Sequence, residues 1–159
     1  MPSKLKKNKL SKQVNKIINR RAGYDYQLLE KFEAGIALTG AEVKSVKAGH
    51  MKLEEAFVQI RDNEAWLVNA HIHPYAFADN RDYDSRRSRK LLLHKNELLK
   101  IAQQVAQHGL TIVPITCYNK HNRVKLEIAL AKGKKKYEKR EALKRKDIQR
   151  EVEMEVSKK

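Results

Sequence analysis

Cysteine is nearly absent from this chain. One residue, Cys117, rules out an internal disulfide and any cysteine-built zinc cluster. No apolar run approaches the roughly 20 residues needed to cross a bilayer. The amino terminus shows no apolar stretch of the kind that opens a secretory signal, so a cytoplasmic setting is expected. No glycine-rich phosphate loop or dinucleotide fingerprint occurs. Acid is also scarce: none precedes Asp25, and the whole chain carries 19 Asp and Glu against 35 Lys and Arg, a formal net charge of +16 over 159 residues. Such an excess makes a polyanion the default partner, nucleic acid before an acidic membrane surface.

The sequence is organised around the stretch from Phe32 to Gly49. Tyr24, Tyr26 and Leu28 alternate with Asp25 and Gln27, and Ile36 and Leu38 resume the alternation after Gly35. This pattern predicts a strand bent or bulged at Gly35. From Ala41 the apolar spacing turns to three and four (Val43, Val46), a short helix that Gly49 closes. Ala56 to Ile60 and Ala65 to Val68 read as a hairpin turning through Asp62-Asn63-Glu64, with Phe57 and Trp66 as core residues. The arginine-dense stretch from Ala76 to Lys90 has no period and reads as an exposed, partly disordered loop. Leu91-Leu92-Leu93 re-enters the sheet.

Leu98, Ile101, Ala102 and Val105 form one helical face that Gly109 ends. Thr111 to Tyr118 is a strand in which Pro114 suits an edge or a bulge. A turn over Asn119 to Asn122 leads to a strand whose Val124, Leu126, Ile128 and Leu130 alternate with Arg123, Lys125, Glu127 and Ala129.

These segments predict a mainly β fold with inserted helices: a small closed antiparallel β-barrel of OB type over residues 19–131. A flexible basic arm (1–18) precedes it. The tail, residues 132–159, is crowded with lysine and arginine, and its apolar stripe of Ile148, Val152 and Val156 is too thin to pack on a barrel. It is expected to be disordered when free and helical when held by a partner.

Candidate chemistry is sparse. His71 and His73 share a strand face but lack further ligands at metal-binding spacing. Cys117 reads as a small apolar strand residue. Glu33 and Glu42, acids in the central stretch of a basic protein, form a conceivable acid/base pair. With no nucleophile or metal beside them, the plainer roles are capping for Glu42 and orienting a cation for Glu33. The expectation is a binder, not an enzyme, with no cofactor and no metal. Tyr24, Tyr75 and Tyr118 are candidates for base stacking.

Several blocks are more specific. Asn19-Arg20-Arg21-Ala22, Phe32-Glu33-Ala34-Gly35-Ile36-Ala37-Leu38, Glu42-Val43-Lys44-Ser45, His71-Ile72-His73-Pro74-Tyr75, Arg89-Lys90-Leu91-Leu92-Leu93-His94, Gly109-Leu110-Thr111-Ile112-Val113-Pro114 and Ala131-Lys132-Gly133-Lys134-Lys135 stand in this order. In this the chain resembles the small protein B (SmpB) family of bacterial SsrA-binding proteins across Asn19 to Arg140. The resemblance implies an OB-type barrel that binds the tRNA-like domain of transfer-messenger RNA and delivers it to stalled ribosomes for trans-translation. It places Asn19, Glu33, Leu92 and Arg123 on the RNA-binding side, with Arg20, Lys44 and Lys125 counted alongside them. Lys132, Gly133, Lys134, Lys135, Tyr137, Lys139 and Arg140 match a tail motif that acts at the ribosomal decoding site and messenger channel; Glu138 stands where the family commonly has Asp. DNA and membranes are not implied as partners. The alternative carried forward is a general single-strand RNA-binding or ribosomal OB-fold protein.

Overall fold

A computed structural model describes residues 16–157. Residues 1–15, and with them most of the expected basic arm, lie outside the described residues. The described residues open with a two-residue strand β1 (Ile17–Ile18), paired with Cys117 and Thr116. A short helix α1 (Arg20–Asp25) follows, then the long strand β2 (Tyr26–Ile36) and helix α2 (Gly40–Lys47). Next come β3 (Met51–Lys52), β4 (Phe57–Arg61), β5 (Glu64–Val68), β6 (His71–Ile72) and β7 (Arg89–Leu92). Helix α3 (Lys95–His108), strands β8 (Thr111–Lys120) and β9 (Arg123–Gly133) and helix α4 (Lys136–Ser157) complete the described chain.

The fold is mainly β with several helices. Seven strands pair antiparallel in the order β1-β8-β4-β5-β7-β2-β9, and β9 pairs with β8 as well; β3 and β6 form a small separate ladder. Two tight turns make the hairpins. Asp62 and Asn63 both hold positive φ between β4 and β5, and His121 and Asn122 do so between β8 and β9. That is the twist a two-residue turn needs to join strands. Inside the sheet lie Leu67, Ile72, Leu126 and Ile128, none of them measurably exposed, with Ile101 of α3 packed among them. A second, smaller cluster of Ala22, Val113 and Ala131 seats α1 on the outer side of β8 and β9. This explains why Ala131 is as buried as the apolar positions it alternates with.

Several expectations need correction. Tyr24 and Asp25 belong to α1, because Asn19 caps a helix there and its side chain accepts from the Ala22 amide. The irregularity in β2 falls between Leu28 and Lys31, not at Gly35. Gly35 is instead a place of close approach, where a Cβ would stand 3.2 Å from the Cβ of Leu92. Phe57 and Trp66 are not core: the hairpin's inward positions are Val58, Ala65 and Leu67, and Trp66 lies under Arg61 on the outside. Pro114 does mark a bulge, between Pro114 and Thr116. Yet β8 is no edge, since its partner on one side changes from β4 at Ile112 to β1 at Thr116 while β9 follows the other side. At its carboxyl end β9 continues through Lys132 and Gly133, so the tail leaves the sheet two residues later than its charge suggests.

The largest difference concerns the 76–90 stretch, which is tied down by α2. Thr39 caps this helix in a reciprocal box: its hydroxyl accepts from the Glu42 amide at 3.3 Å, and Glu42 Oε1 accepts from the Thr39 amide at 3.0 Å. That arrangement points the Glu42 carboxylate inward, where it is 1% exposed. Arg89, fully buried, donates to it through Nε at 2.7 Å, and the Arg87 guanidinium donates to its other oxygen. Arg89 also donates to the carbonyls of Ala70 (2.8 Å) and Ser85 (3.1 Å), and the Tyr83 hydroxyl donates to the Ile72 carbonyl at 2.9 Å. The charged groups of this cluster are thus met by partners on each side, the condition under which a buried ion pair is tolerated.

Burial alone would raise the Glu42 pKa, but hydrogen bonds from Arg87, the Thr39 amide and Arg89 outweigh it and hold the group down to about 2. A carboxyl depressed in the folded state stabilises fully above its ordinary value near 4.5 and loses that contribution as pH falls through about 2. Glu42→Gln leaves two guanidiniums facing a neutral group, and a loss of about 3–5 kcal/mol is expected in denaturant titration at neutral pH. The variant should also show a shallower loss of stability between pH 4.5 and 2 than the parent.

Candidate nucleic-acid interface

Side chains on a strand alternate between faces, so the residues left outside the core are fixed by the ones inside it. Ala34, Ile36, Leu91, Cys117, Val124 and Leu126 are buried. Their neighbours Glu33, Gly35, Leu92, Tyr118, Lys120, Arg123 and Lys125 therefore share the outer face. Register then sets them side by side. Leu92 of β7 stands opposite Gly35 of β2, Gly35 opposite Lys125 of β9, and Lys125 opposite Tyr118 of β8. One row across four strands thus reads Leu92, Gly35, Lys125, Tyr118. The hairpin end adds Lys120 opposite Arg123.

Three members of this row, Leu92, Gly35 and Lys125, line a cleft of about 790 Å³ together with Glu33 and Arg123. Helix α2 contributes Val43 to its wall, and the start of α3 contributes His94 and Glu97. Gly35 keeps the floor low: without a side chain it lets Leu92 lean across β2, and Leu92 remains 56% exposed. Four of the seven residues expected on the RNA-binding side, Glu33, Leu92, Arg123 and Lys125, come together here.

Glu33 is the carboxylate that β2 contributes to the cleft, and Glu127 of β9, paired with Lys31, stands opposite it in register. The Tyr118 hydroxyl donates to Glu33 Oε2, and Lys120 Nζ lies 3.4 Å from the same oxygen. The Tyr118 hydrogen bond, with Lys120 and Lys125 nearby, holds the Glu33 carboxyl below its usual range. Partial burial and the bond to Glu33 push the Tyr118 phenol above its own. At neutral pH the pair is a charged acceptor beside a fixed donor.

The other expected residues lie elsewhere. Asn19 is 5% exposed and fully engaged: its amide donates to the carbonyls of Pro114 (2.9 Å) and Leu53 (3.2 Å) while its oxygen caps α1. It braces the gap where β8 changes partners. Arg20 is exposed at the start of α1. Lys44, exposed on α2, stands 5.3 Å from the centre of the Tyr75 ring, which also meets Phe77 edge-on.

The tail motif gathers at the far end of the β2–β9 ladder. Gly133 pairs with Tyr26 and Lys132 with Gln27. Lys134 donates to the Gly23 carbonyl at 2.9 Å, and Lys139 meets Asp25 at 3.3 Å and overlies the Tyr24 ring. The Lys135 amide donates to Glu138 at 3.4 Å; Tyr137 and Arg140 are exposed. Beyond this first contact α4 stands clear, with Ile148, Val152 and Val156 between 54% and 69% exposed.

Lys120 and Glu97 escaped the sequence reading, and His94 entered it only as the last residue of a matching block. Lys120 could have been found by counting two residues on from Tyr118 on a strand; the α3 residues enter through tertiary packing, which leaves no periodic trace. His71 and His73 have ring centres 5.9 Å apart, and among the described residues no group of three His, Cys, Asp or Glu is arranged to hold a metal ion. Among those residues too, no helix is long and apolar enough to cross a membrane. Cys117, buried in β8, has its thiol pushed up to about 12 by burial.

Comparison with known proteins agrees over nearly the whole chain. A family profile described as "SmpB protein" matches residues 16–158. An SsrA-binding protein of Sulfurihydrogenibium sp. (strain YO3AOP1) is 56% identical over 135 residues, 85% of this chain and 89% of its own. One of Lacticaseibacillus casei (strain BL23) is 52% identical over 135 residues, covering 85% and 86%. A solved structure described as "tmRNA-SmpB: a journey to the center of the bacterial ribosome" superposes with a TM-score of 0.64 at 45% identity, covering 77% of this chain and 86% of that one. The outward row of the cleft, the capped α2 and these matches lead to one conclusion: the chain belongs to the SmpB family.

Proposed function

We propose that this protein binds the tRNA-like domain of transfer-messenger RNA, the SsrA RNA, and delivers it to stalled ribosomes for trans-translation and ribosome rescue. The observation that carries this reading is the cleft, which sets Arg123, Lys125 and exposed Leu92 side by side on a protein of net charge +16. The names of the relatives supply the RNA, and the solved neighbour supplies the ribosome. In this reading the ring of pairings from β8 through β4, β5, β7 and β2 to β9 is a small closed barrel of OB type. Glu33, Leu92, Arg123 and Lys125 touch the RNA directly, and Arg20 and Lys44 add charge at its margins. Asn19 acts through the α1–β8 junction that it braces. The protein works as a binder in the cytoplasm, without cofactor or metal.

The tail, from Lys132 through Arg140 and on along α4, engages the decoding centre and messenger channel. Its 22-residue helix is about 33 Å long at 1.5 Å per residue. The exposed stripe of Ile148, Val152 and Val156 finds no partner on the sheet. We therefore assign the helical form to the ribosome-bound state and a largely unfolded form to the free protein.

Truncation after Lys135 spares β9 and should leave affinity for the tRNA-like RNA within about twofold, while abolishing peptide tagging in a reconstituted translation assay. Loss of most RNA affinity on truncation would overturn the division of labour between sheet and tail. Arg123→Glu combined with Leu92→Ala should weaken RNA binding with little effect on stability, both side chains being outward. If the cleft and its margins neutralise about five phosphates, affinity should fall with salt on a log-log slope near −3.5 to −4.5. A flat response excludes this electrostatic account. A general single-strand binder would show no preference for the tRNA-like RNA over an unstructured RNA of equal length, which a competition assay distinguishes.

A further inference from the structure

A surface that neutralises phosphates has no use for acid, yet two carboxylates line this cleft. Glu33 lies beside Lys120, Lys125 and Tyr118. Glu97, from the first turn of α3, has one carboxylate oxygen shut off from solvent with no hydrogen-bond donor. Each would repel a neighbouring phosphate. Both can accept hydrogen bonds, and an acceptor left without a donor in a protected place calls for an explanation.

Glu33 is held rather than free. Tyr118 takes one position on Oε2, and Lys120 stands back at 3.4–3.5 Å from the two oxygens. A carboxylate offers about four acceptor positions; Tyr118 takes one, and the two long Lys120 contacts are ones that an RNA phosphate can draw away, which frees a position on each oxygen. Beside it Leu92 presents exposed apolar surface above Gly35, and Arg123 and Lys125 flank the same floor. A charged two-oxygen acceptor, an apolar shelf and neighbouring cations together match a nucleotide whose base is unstacked, with the base and not the phosphate facing the acid.

The acceptor selects among the bases. Adenine and cytosine each place a ring-nitrogen lone pair next to their amino donor, which a carboxylate repels. Uracil has one N–H between two carbonyls. Guanine alone presents two adjacent donors, N1–H and N2–H, on its Watson–Crick edge, the edge that single-stranded recognition can reach.

We propose that the cleft recognises an unpaired guanine of the bound RNA. Glu33, oriented by Tyr118, accepts N1–H and N2–H; Leu92 packs on the face of the base; Arg123 and Lys125 hold the adjoining phosphates. This rests on the reading of the cleft as an RNA site and adds what that site reads.

Glu33→Gln separates this from simple electrostatics, because the two predict opposite signs. Removing a negative charge beside a polyanion tightens binding if Glu33 is only a charge. If it accepts from guanine, the amide cannot take both donors, and affinity for the tRNA-like RNA should fall roughly tenfold to a hundredfold. Tyr118→Phe should give a smaller loss. Glu33 is half-exposed and outside the core, so thermal melting should be unchanged, and that is to be checked alongside. Unpaired guanines of the RNA are then replaced one at a time by inosine, which lacks the N2 amino group. At one position the replacement should weaken the parent protein but not Glu33→Gln. Equal or tighter binding by Glu33→Gln, inosine effects that are the same in both proteins, or a Glu33→Gln loss that vanishes in EDTA (a metal bridge to phosphate) would each overturn the proposal. A parent protein that does not bind the tRNA-like RNA at all would remove the RNA reading itself, and this one with it.

Discussion

A carboxylate with almost no exposure, inside a chain with nearly twice as many cations as anions, is the constraint around which this structure is arranged. Glu42 caps its own helix from within and is gripped by Arg87 and Arg89, forty-five and forty-seven residues further on. Charges brought out of water are tolerated only when their geometry is complete. Here they tie three things together. Helix α2 is oriented against the sheet, the 76–90 stretch is folded onto it, and β7 is delivered with Leu91 inward and Leu92 outward. The cleft inherits its apolar shelf from that choice of face.

Much of this was legible in the sequence. The strand pattern from Val124 to Leu130, the presence of both hairpin turns (each one or two residues shorter than read) and the glycine ends of α2 and α3 all follow local rules: alternation, φ preference and capping. Because alternation is local, the outward set containing Glu33, Arg123 and Lys125 could also be found. What failed was decided by partners distant in the chain. Aromatic size suggested that Phe57 and Trp66 were core, but face is set by register, and Val58 and Leu67 took the inside. The polar, aperiodic stretch around Arg89 looked disordered because its ordering partner, Glu42, lies in another element. Gly35 looked like a kink because sequence cannot show which side chain will lean over it; that side chain belongs to Leu92. Asn19, expected on the RNA-binding side, has its amide spent on two carbonyls far along the chain, which no local pattern shows.

The placement of the site residues divides them by the role each can play. Those in the cleft are free to meet a ligand from the outside of β2, β7 and β9. Those of the tail motif begin as strand residues and end as the first turns of α4, where Lys134 and Lys139 are already engaged with α1. Charge is therefore spread along the molecule and not concentrated in one patch, as suits a ligand larger than the protein's own sheet.

The cleft and the tail motif stand at the two ends of a single hydrogen-bonded ladder. Gly35 faces Lys125 at one end and Tyr26 faces Gly133 at the other, about eight or nine strand residues apart, roughly 25–30 Å. Main-chain geometry dictates that spacing, and it is indifferent to which side chains the ladder carries. The pair of strands behaves as a ruler: substitution can alter the grip at either end, while the reach between them stays as the backbone sets it.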